Sequence, residues 1–344
     1  MSKPERTYAE AGVDVDAAEA LVGRFAALAK SARRPEVLAD IGPFAGLFKL
    51  GKYRAPVLVA STDSVGTKVK IAGVLGRYDS VGHDLVNHCV NDVLTTGAEP
   101  LFFLDYIGNC GLSDDAKADI VRGCVEACRV NGCALLGGET ADMPGTYEAG
   151  DFDLVGFVVG VVERDSVIDG SAIREGDALI ALPSNGLHTN GYSLVRRLFD
   201  VGNGGDPATE RAVLERNYPG LEGTLGDALL VPHSPYLDAL RPVLPKLHGI
   251  AHITGGGVPG NLPRIVPDGL GAKLGRESWN IPALFRLIQE TGDIDEPEMF
   301  RAFNMGVGII VAVAPEDAAG VRAAMPGSWL IGEVVRGQGV EWVT

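Results

Sequence analysis

A stripe of polar residues between positions 82 and 97 has the residue types and the spacing of a cation site. The stripe consists of Asp84, His88, Asn91 and Asp92. These residues stand at i, i+4, i+7 and i+8, so a helix presents them along one face. They include two short acids and no lysine or arginine, although a solvated helix face usually mixes both signs of charge. Carboxylates on a rigid backbone suit a hard cation, Mg²⁺ first; the alternative interpretation is an acidic surface helix.

A predicted strand over residues 56–60 brings another acid towards this helix. The strand is apolar (PVLVA), and the loop after it contains Asp63, Gly66, Thr67 and Lys68. An acid at the end of a buried strand, followed by a glycine turn and a lysine, can hold a metal ion and a phosphate from one loop. An ordinary strand-end turn is the alternative.

A further polar turn follows the strand predicted over residues 133–136. It contains Gly137, Gly138, Glu139 and Thr140. Paired glycines after a strand let the backbone approach a ligand closely, and Glu139 adds a carboxylate. A tight β-turn with exposed acids is the alternative. Other strands are predicted over residues 101–104 and 153–162.

Two glycine-rich loops mark the C-terminal half. The first lies between a predicted strand (178–182) and a predicted helix (192–199), and contains Ser184, Asn185, Gly186, His188, Thr189, Asn190 and Gly191. Free N–H groups and the helix dipole favour an anion at such a helix start, and His188 can add a hydrogen bond or a proton. An exposed loop histidine without a function is the alternative.

The second loop contains three successive glycines, Gly255, Gly256 and Gly257. Because successive glycines cost conformational entropy, they predict close passage of the backbone against a ligand or another helix. Residues 203–250 are predicted to be helical with proline-broken turns.

The composition favours an acidic, soluble protein of two domains. The chain has 344 residues, of which 46% are hydrophobic, and a formal net charge of −15. This charge argues against nucleic-acid and membrane-surface partners and suits a divalent metal with a small ligand. No leader or membrane span is expected, and the five cysteines, without a C-x-x-C pair, predict reduced cytosolic thiols. We place the domain boundary between residues 168 and 169, so that the domains are 1–168 and 169–344.

Residues 46–52 nearly spell a phosphate loop, G-x-x-x-x-G-K, but their context excludes one. Tyr53 stands where a serine or threonine should hold Mg²⁺, and no strand precedes or helix follows the segment. Nearer the N-terminus, Asp16 and Glu19 predict a capping box that opens a helix ending near Lys30.

Eight motifs, in order along nearly the whole chain, resemble the phosphoribosylformylglycinamidine cyclo-ligase family, also called aminoimidazole ribonucleotide synthetases. They are Asp63-x-Val65-Gly66-Thr67-Lys68, Asn91-Asp92, the segment GAEPLFFLDY from Gly97, Gly137-Gly138-Glu139-Thr140-Ala141 with Met143-Pro144-Gly145, Gly186-Leu187-His188, Asn190-Gly191-Tyr192-Ser193-Leu194-Val195, His252-Ile253-Thr254-Gly255-Gly256-Gly257, and Phe303-Asn304-Met305-Gly306. Each motif is weak alone, and together they are specific.

The resemblance implies an α/β (α+β) fold of two domains. The N-terminal sheet-and-helix domain would dimerise through its sheet, and the C-terminal α/β domain would carry the glycine-rich loops. It also implies a homodimeric enzyme that uses ATP and Mg²⁺ to close the imidazole ring of a small nucleotide substrate.

The resemblance assigns site residues by position. Metal ligands would be Asp63, Asp92 and Glu139, and nucleotide-binding residues would be Gly66, Thr67, Lys68, Asn91, Gly137, Gly138 and Thr140. Substrate would lie against residues 184–186, 188–191 and 255–257, and the catalytic side chains would be His188 and Lys68. The chain departs from the family pattern at Ser64, where glycine is commoner, and at Asp142, where glutamate is commoner.

Two further interpretations stay open from sequence. One is another ATP-using member of the same superfamily: an amidotransfer synthetase, a selenophosphate synthetase or a thiamine-phosphate kinase. The other is a scaffold that binds nucleotide without turnover.

Overall fold

Two separate β-sheets organise the chain. The computed structural model describes residues 15–39 and 41–343, with side chains from residue 19. The strands in these ranges are β1 (Pro56–Ser64), β2 (Glu99–Asn109), β3 (Ala134–Asp142), β4 (Phe152–Glu163), β5 (Ala178–Pro183), β6 (Leu247–His252), β7 (Leu270–Gly275), β8 (Val307–Val313), β9 (Trp329–Arg336) and β10 (Val340–Val343). The helices are α1 (Val15–Ala29), α2 (Lys68–Leu75), α3 (Asp79–Leu94), α4 (Asp114–Val130), α5 (Tyr192–Phe199), α6 (Pro207–Leu214), α7 (Leu225–Leu230), α8 (Leu237–Leu240), α9 (Gly257–Asn261), α10 (Ala283–Gly292), α11 (Glu296–Ala302) and α12 (Ala318–Ala324).

The N-terminal sheet has the strand order β1-β4-β2-β3 and is covered by helices on one face. Only the β2–β3 pair is parallel. Helices α3 and α4 cross closely at Gly82 and Gly123, where a Cβ on either glycine would lie within 2.2 Å of a backbone oxygen. The core therefore lies between this helix pair and one sheet face.

The other face of the N-terminal sheet is apolar and uncovered by helices within the described ranges. Side chains alternate between the two faces of a strand, and Leu58 and Phe157 point outward with 63% and 40% of their surface exposed. The face is thus available to another apolar surface.

The C-terminal sheet has the order β10-β7-β9-β5-β8-β6. Its central strand β8 is buried along its whole length, as the continuous apolar sequence VGIIVAV requires. Strands β5 and β6 flank β8, and the glycine-rich loops that follow them lie at the junction with the N-terminal domain.

The polar stripe of α3 forms much of this junction. Asn91 donates from Nδ2 to Ser234 O (2.9 Å) and accepts from Tyr236 N (3.2 Å). Asp84 accepts from His233 N at 2.7 Å. Both side chains are fully buried. The stripe is therefore not a solvated acidic face; two of its four residues hold the C-terminal segment 231–236.

A buried ion pair reinforces the junction. Lys68 Nζ lies 2.7 Å from an oxygen of Asp84, and both side chains are fully buried. The ammonium also donates to the carbonyls of His188 (3.2 Å) and Val231 (2.8 Å). Burial lowers the pKa of Lys68, and Asp84 opposes that shift. The stripe itself contains no lysine or arginine, but Asp84 takes its counter-charge from Lys68 at the start of α2.

The predicted elements agree with the structure except in three regions. The five predicted strands, at residues 56–60, 101–104, 133–136, 153–162 and 178–182, correspond to β1 to β5, but residues 137–140, predicted as a turn, continue β3. Residues 203–250 were expected to be helical with proline-broken turns, but β6 begins at Leu247. Helix α2, which begins at Lys68, was not predicted.

Two predictions concern the N-terminal residues, and a third concerns membrane spans. Helix α1 already includes Val15, so Asp16 is not its N-cap, and the side chain of Asp16 lies outside the described residues. No helix follows the rejected phosphate-loop pattern at residues 46–52, since β1 comes next. Among the described residues, no helix combines the length and apolarity needed to span a membrane.

Candidate functional site

An acidic pocket of about 460 Å³ lies where the end of β1, helix α3 and the segment after β6 meet. We define it by Asp63, His88, Asp92, His252 and Arg264, which all line it. The predicted pair of carboxylates from β1 and α3 therefore does face one cavity. The guanidinium of Arg264 brings a positive charge to the same wall.

Asp63 is held by a histidine behind it. His88 donates from Nε2 to Asp63 Oδ2 at 3.0 Å, and its Nδ1 lies 3.0 Å from Thr189 Oγ1. Burial would raise the pKa of the Asp63 carboxyl, but the hydrogen bond and charge of His88 keep that pKa below its usual value. Burial would lower the pKa of His88, but Asp63 raises it above its usual value. Each group of the pair thus favours the charged form of the other.

Asp92 has an equivalent partner from the C-terminal domain. His252 donates from Nδ1 to Asp92 Oδ1 at 2.8 Å, and Ser61 Oγ donates to Asp92 Oδ2 at 3.0 Å. Burial would raise the pKa of Asp92, but His252 and these hydrogen bonds keep it low. About a third of the Asp63 and Asp92 side-chain surfaces remain exposed to the pocket. Both carboxylates can therefore still accept a ligand.

A cluster of four histidines extends inward from the pocket: His88 and His252 line it, and His188 and His233 do not. His233 Nε2 is 3.0 Å from His252 Nε2, and the ring of His188 stacks on that of His233 with centroids 3.8 Å apart. Burial lowers the pKa of both His188 and His233 well below the usual value, so both rings are neutral.

Polar side chains of the loop from Ser184 to Gly191 bond to backbone carbonyls of the protein itself. Ser184 Oγ donates to Gly186 O, and Asn185 Nδ2 donates to Pro232 O. The His188 side chain is 1% exposed and points into the histidine cluster. The expectation that this loop presents His188 directly to a ligand is therefore wrong, because the ring is buried and does not line the pocket.

Other predicted residues do converge at the domain junction. Thr67 Oγ1 lies 3.1 Å from Ser193 Oγ at the start of α5, and a Cβ on Gly66 would lie 3.8 Å from Thr189 O. On the other side, a Cβ on Gly255 would lie 3.2 Å from the Asn190 side chain. Gly66, Thr67, the α5 start and the second glycine loop thus border one small region.

Gly191 and Gly257 are explained by packing. Both have positive φ, and a Cβ would lie 2.1 Å from the Phe303 ring at Gly191 and 2.0 Å from Phe300 O at Gly257. Of the two alternatives for the second loop, the structure supports close passage against a helix, because Phe300 belongs to α11. Gly256 also has positive φ.

Residues 137–140, which were predicted as a turn, instead continue strand β3 and border a cavity of about 1,380 Å³ at the sheet edge. Gly137, Gly138 and Thr140 line it, together with residues of α1, α4 and the segment 41–48. A Cβ on Gly138 would lie 2.3 Å from Asp105 Oδ1, so the missing side chain makes room for that carboxyl. Burial raises the pKa of Asp105 to about 7.

Glu139 cannot share a metal ion with Asp63 and Asp92 within one chain. Asp63, Gly156, Asp105 and Gly138 form one row across β1, β4, β2 and β3. Three strand spacings separate the ends of this row by about 14 Å. Glu139 belongs to the next row, so its exposed side chain points to the opposite sheet face. Its assignment as a third metal ligand is corrected.

Two further assignments are corrected by burial. Lys68 was expected to bind phosphate or act in catalysis, but its ammonium is enclosed by Asp84 and two carbonyls. Asn91 was expected to bind nucleotide, but both ends of its amide bond the segment after α7. Neither side chain lines the acidic pocket. Asp142, to which we assigned no role, pairs with Lys117.

Sequence reasoning missed several residues of the site. Nothing assigned His233 or Arg264 a role, and His252 entered only as part of a glycine motif. His252 could have been found from its position at the end of a strand, but the strand itself was not predicted. His233 lies in an irregular segment without a local signal.

Comparison with known proteins identifies the family. Two models of the AIR synthase related protein family match the chain: the N-terminal domain at residues 45–162 and the C-terminal domain at residues 174–343. Among curated relatives, phosphoribosylformylglycinamidine cyclo-ligase of Geotalea daltonii is 48% identical, covering 98% of this chain and 97% of its own. The enzyme of the same name from Sorangium cellulosum is 50% identical, covering 96% and 95%.

The chain belongs to the phosphoribosylformylglycinamidine cyclo-ligase family.

Solved structures support the two-domain α/β fold of this family. Thiamine-monophosphate kinase from Stenotrophomonas maltophilia K279a superposes with a TM-score of 0.67 at 19% identity, covering 94% of this chain and 95% of its own. Hydrogenase maturation protein HypE in complex with ATP superposes with a TM-score of 0.64 at 17% identity, covering 93% and 87%. The expected fold class is confirmed.

Proposed function

We propose that this chain catalyses the ATP-dependent closure of formylglycinamidine ribonucleotide to aminoimidazole ribonucleotide in purine biosynthesis, releasing ADP and phosphate. The observation that carries the proposal is 48 to 50% identity, over nearly the full length, to relatives that bear the cyclo-ligase name. The reaction makes a ring C–N bond and breaks the terminal phosphoanhydride bond of ATP.

The chemistry fits the side chains of the acidic pocket. The γ-phosphoryl group of ATP moves to the formyl oxygen of the substrate. A substrate nitrogen then attacks the formyl carbon, and phosphate leaves with the formyl oxygen. Phosphoryl transfer depends on positioning and charge neutralisation more than on a protein nucleophile. The pocket provides two carboxylates and a guanidinium, Arg264, which can bind a phosphate oxygen.

Asp63 and Asp92 are the proposed Mg²⁺ ligands, and the donor set fits a hard cation. Both carboxylates are ionised and partly exposed to the pocket. When bound, the ion would neutralise charge on the transferred phosphoryl group. His88 and His252 orient the two carboxylates from behind.

We propose positions for the nucleotide and the substrate in two regions, the domain junction and the edge cavity. Gly66, Thr67 and the loops at residues 184–191 and 255–257 border the domain junction, where phosphates would meet backbone N–H groups. Gly137, Gly138 and Thr140 line the large apolar edge cavity and stay proposed nucleotide-binding residues there. Lys68, Asn91 and Glu139 are removed from the set, and His188 acts through His233 and His252 rather than by contact.

The proposed assembly is a homodimer formed by the uncovered face of the N-terminal sheet. Leu58 on β1 and Phe157 on the adjacent β4 are apolar and exposed on this face, which favours burial against a second copy. The domain boundary between residues 168 and 169 is likewise a proposal, consistent with the two sheets.

Product analysis tests the proposal. With ATP and Mg²⁺, the purified chain should release phosphate only when formylglycinamidine ribonucleotide is added, with an equal amount of aminoimidazole ribonucleotide detected by mass spectrometry. Thiamine monophosphate serves as the comparison substrate, since a structural neighbour is a thiamine-monophosphate kinase. Phosphorylation of thiamine monophosphate, or nucleotide binding without turnover, would contradict the proposal.

A further inference from the structure

Three of the clustered histidines place their ring nitrogens around one point. One nitrogen each from His188, His233 and His252 lies within 4.8 Å of the other two. All three side chains are buried, with 5% or less of their surface exposed. They come from three separate segments, which only the folded C-terminal domain brings together.

Several of these nitrogens have no hydrogen-bond partner. Both nitrogens of His188 and Nδ1 of His233 are buried and unpartnered among the described residues. An unsatisfied buried polar atom costs about 1–3 kcal/mol, and native proteins contain few of them. Three such atoms in two stacked rings thus leave polar groups that a bound ion could satisfy.

The separation between two of the nitrogens fits a tetrahedral metal ion. His233 Nε2 and His252 Nε2 are 3.0 Å apart. Two imidazole nitrogens at about 2.05 Å from a tetrahedral zinc ion would be about 3.3 Å apart. The two nitrogens are now joined by a hydrogen bond, and a shared ion would require them to separate by only about 0.3 Å.

His252 has a carboxylate partner, as metal-bound histidines often do. His252 donates its other N–H, at Nδ1, to Asp92 Oδ1 at 2.8 Å. Metal-ligating histidines almost always donate in this way to a carboxylate, a carbonyl or water, which fixes the tautomer and the ring orientation. Asp92 therefore directs the lone pair at His252 Nε2 towards His233.

We propose that His188, His233 and His252 bind a single zinc ion. Imidazole nitrogens suit Zn²⁺, whereas Mg²⁺ prefers oxygen ligands, so this site is distinct from the Asp63–Asp92 pair. Three histidines leave a fourth position for water or a ligand from the acidic pocket, which His252 lines.

Zinc binding requires a local rearrangement of the rings. The total charge on the rings stays the same. The His188 and His233 rings are stacked 19° from parallel, so one ring must turn to aim its lone pair at the ion. His233 can move its proton from Nε2 to the unpartnered Nδ1, which frees Nε2 for the metal. His88 is excluded as a ligand because Asp63 and Thr189 occupy both its nitrogens.

Competition for zinc tests the site. The full chain is stripped with EDTA, dialysed, and titrated with Zn²⁺ against a coloured zinc chelator in the presence of excess Mg²⁺. We expect one zinc ion per chain. His233→Asn should weaken binding at least about tenfold, the lower limit reported for perturbing even the outer partners of metal ligands. The matched variant is His83→Asn, which lies outside the cluster and should bind zinc like the parent.

Equal zinc affinity in His233→Asn and the parent would overturn the proposal, since it would indicate a surface site. A measurement on the parent protein covers the case in which that variant does not fold. Co²⁺ in a four-coordinate site with three imidazoles absorbs strongly in the visible range, and we expect that spectrum. A weak six-coordinate spectrum alone would overturn the proposal. Because neither measurement uses ATP or substrate, its outcome is separate from that of the product analysis.

Discussion

Asp92 connects the two halves of the site. Its carboxylate faces the acidic pocket, accepts from Ser61 of β1, and accepts from His252 of the C-terminal domain. A single side chain therefore fixes the position of a cation site and the orientation of the histidine cluster.

We predict that Asp92→Asn folds but loses the response to Mg²⁺–ATP. The amide keeps the shape and one oxygen but removes the charge that Mg²⁺ requires, so thermal unfolding should occur at a slightly lower temperature, equivalent to about 1 kcal/mol for a weakened hydrogen bond. Mg²⁺–ATP should raise the melting temperature of the parent much more than that of the variant, because only a ligand bound to the native state stabilises it. Equal shifts in both proteins, measured by differential scanning fluorimetry, would exclude Asp92 as a ligand.

Asp105 gives a prediction on pH. Its pKa is raised by burial from about 4 to about 7, so the folded chain binds more protons than the unfolded chain between these values. Stability from the neutral carboxyl is present at low pH and is lost as pH rises through 7. Asp105→Asn stays neutral, so between pH 5 and pH 8 it should gain about 3 kcal/mol of stability relative to the parent, from two pH units below the pKa at about 1.4 kcal/mol each.

The control for Asp105 is Asp268→Asn, an exposed acid far from the edge cavity. Its melting temperature should follow the parent across the same pH range. A constant difference between Asp105→Asn and the parent from pH 5 to pH 8 would show that Asp105 is ionised throughout.

At the level of residues, the sequence correctly placed side chains whose position depends on local periodicity. It missed the roles of side chains whose partners lie far along the chain. Asp63 and Asp92 share a pocket, as a strand end beside a helix face suggested. Asn91 stands only one position away, yet its amide bonds residues more than 140 positions later in the chain. Glu139 failed for another reason, since a shift of one residue along a strand reverses the face.

Helix α3 combines two functions that a sequence pattern cannot separate. Its inner side packs on the sheet and α4, and its polar side divides between the acidic pocket and the segment 231–236. Strand β6, which positions His252, was missed because its sequence, LHGIAH, combines a glycine and two histidines in a region that otherwise forms short helices.

The ion pair between α2 and α3 gives a prediction on stability. Asp84→Asn leaves the Lys68 ammonium buried without a counter-charge, so it should destabilise the chain by about 3–5 kcal/mol. The double variant Lys68→Met with Asp84→Asn removes that charge and should recover part of the loss in a chemical denaturation series. If Lys68 instead bound phosphate, Lys68→Met would reduce activity without a loss of stability.

The molecule as a whole exposes an apolar sheet face that one chain cannot cover. We predict that light scattering at micromolar concentration gives about twice 36.1 kDa. Phe157→Glu should shift the mass towards that of a monomer, because a charge would then be buried in the interface. Val130→Glu, at an exposed apolar residue on α4, is the matched control and should leave the dimer intact. A monomeric parent would exclude this assembly.

The carbonyl partners of Lys68 also set an order of events during synthesis. Val231, whose carbonyl accepts from the ammonium, follows Lys68 by 163 positions. Translation at about 5–20 residues per second separates their synthesis by roughly 8 to 33 s. In that interval the N-terminal sheet can form, but α2 and α3 lack the groups that complete the enclosure of the charge. The nascent N-terminal domain therefore keeps this ammonium in contact with water until the C-terminal half leaves the ribosome.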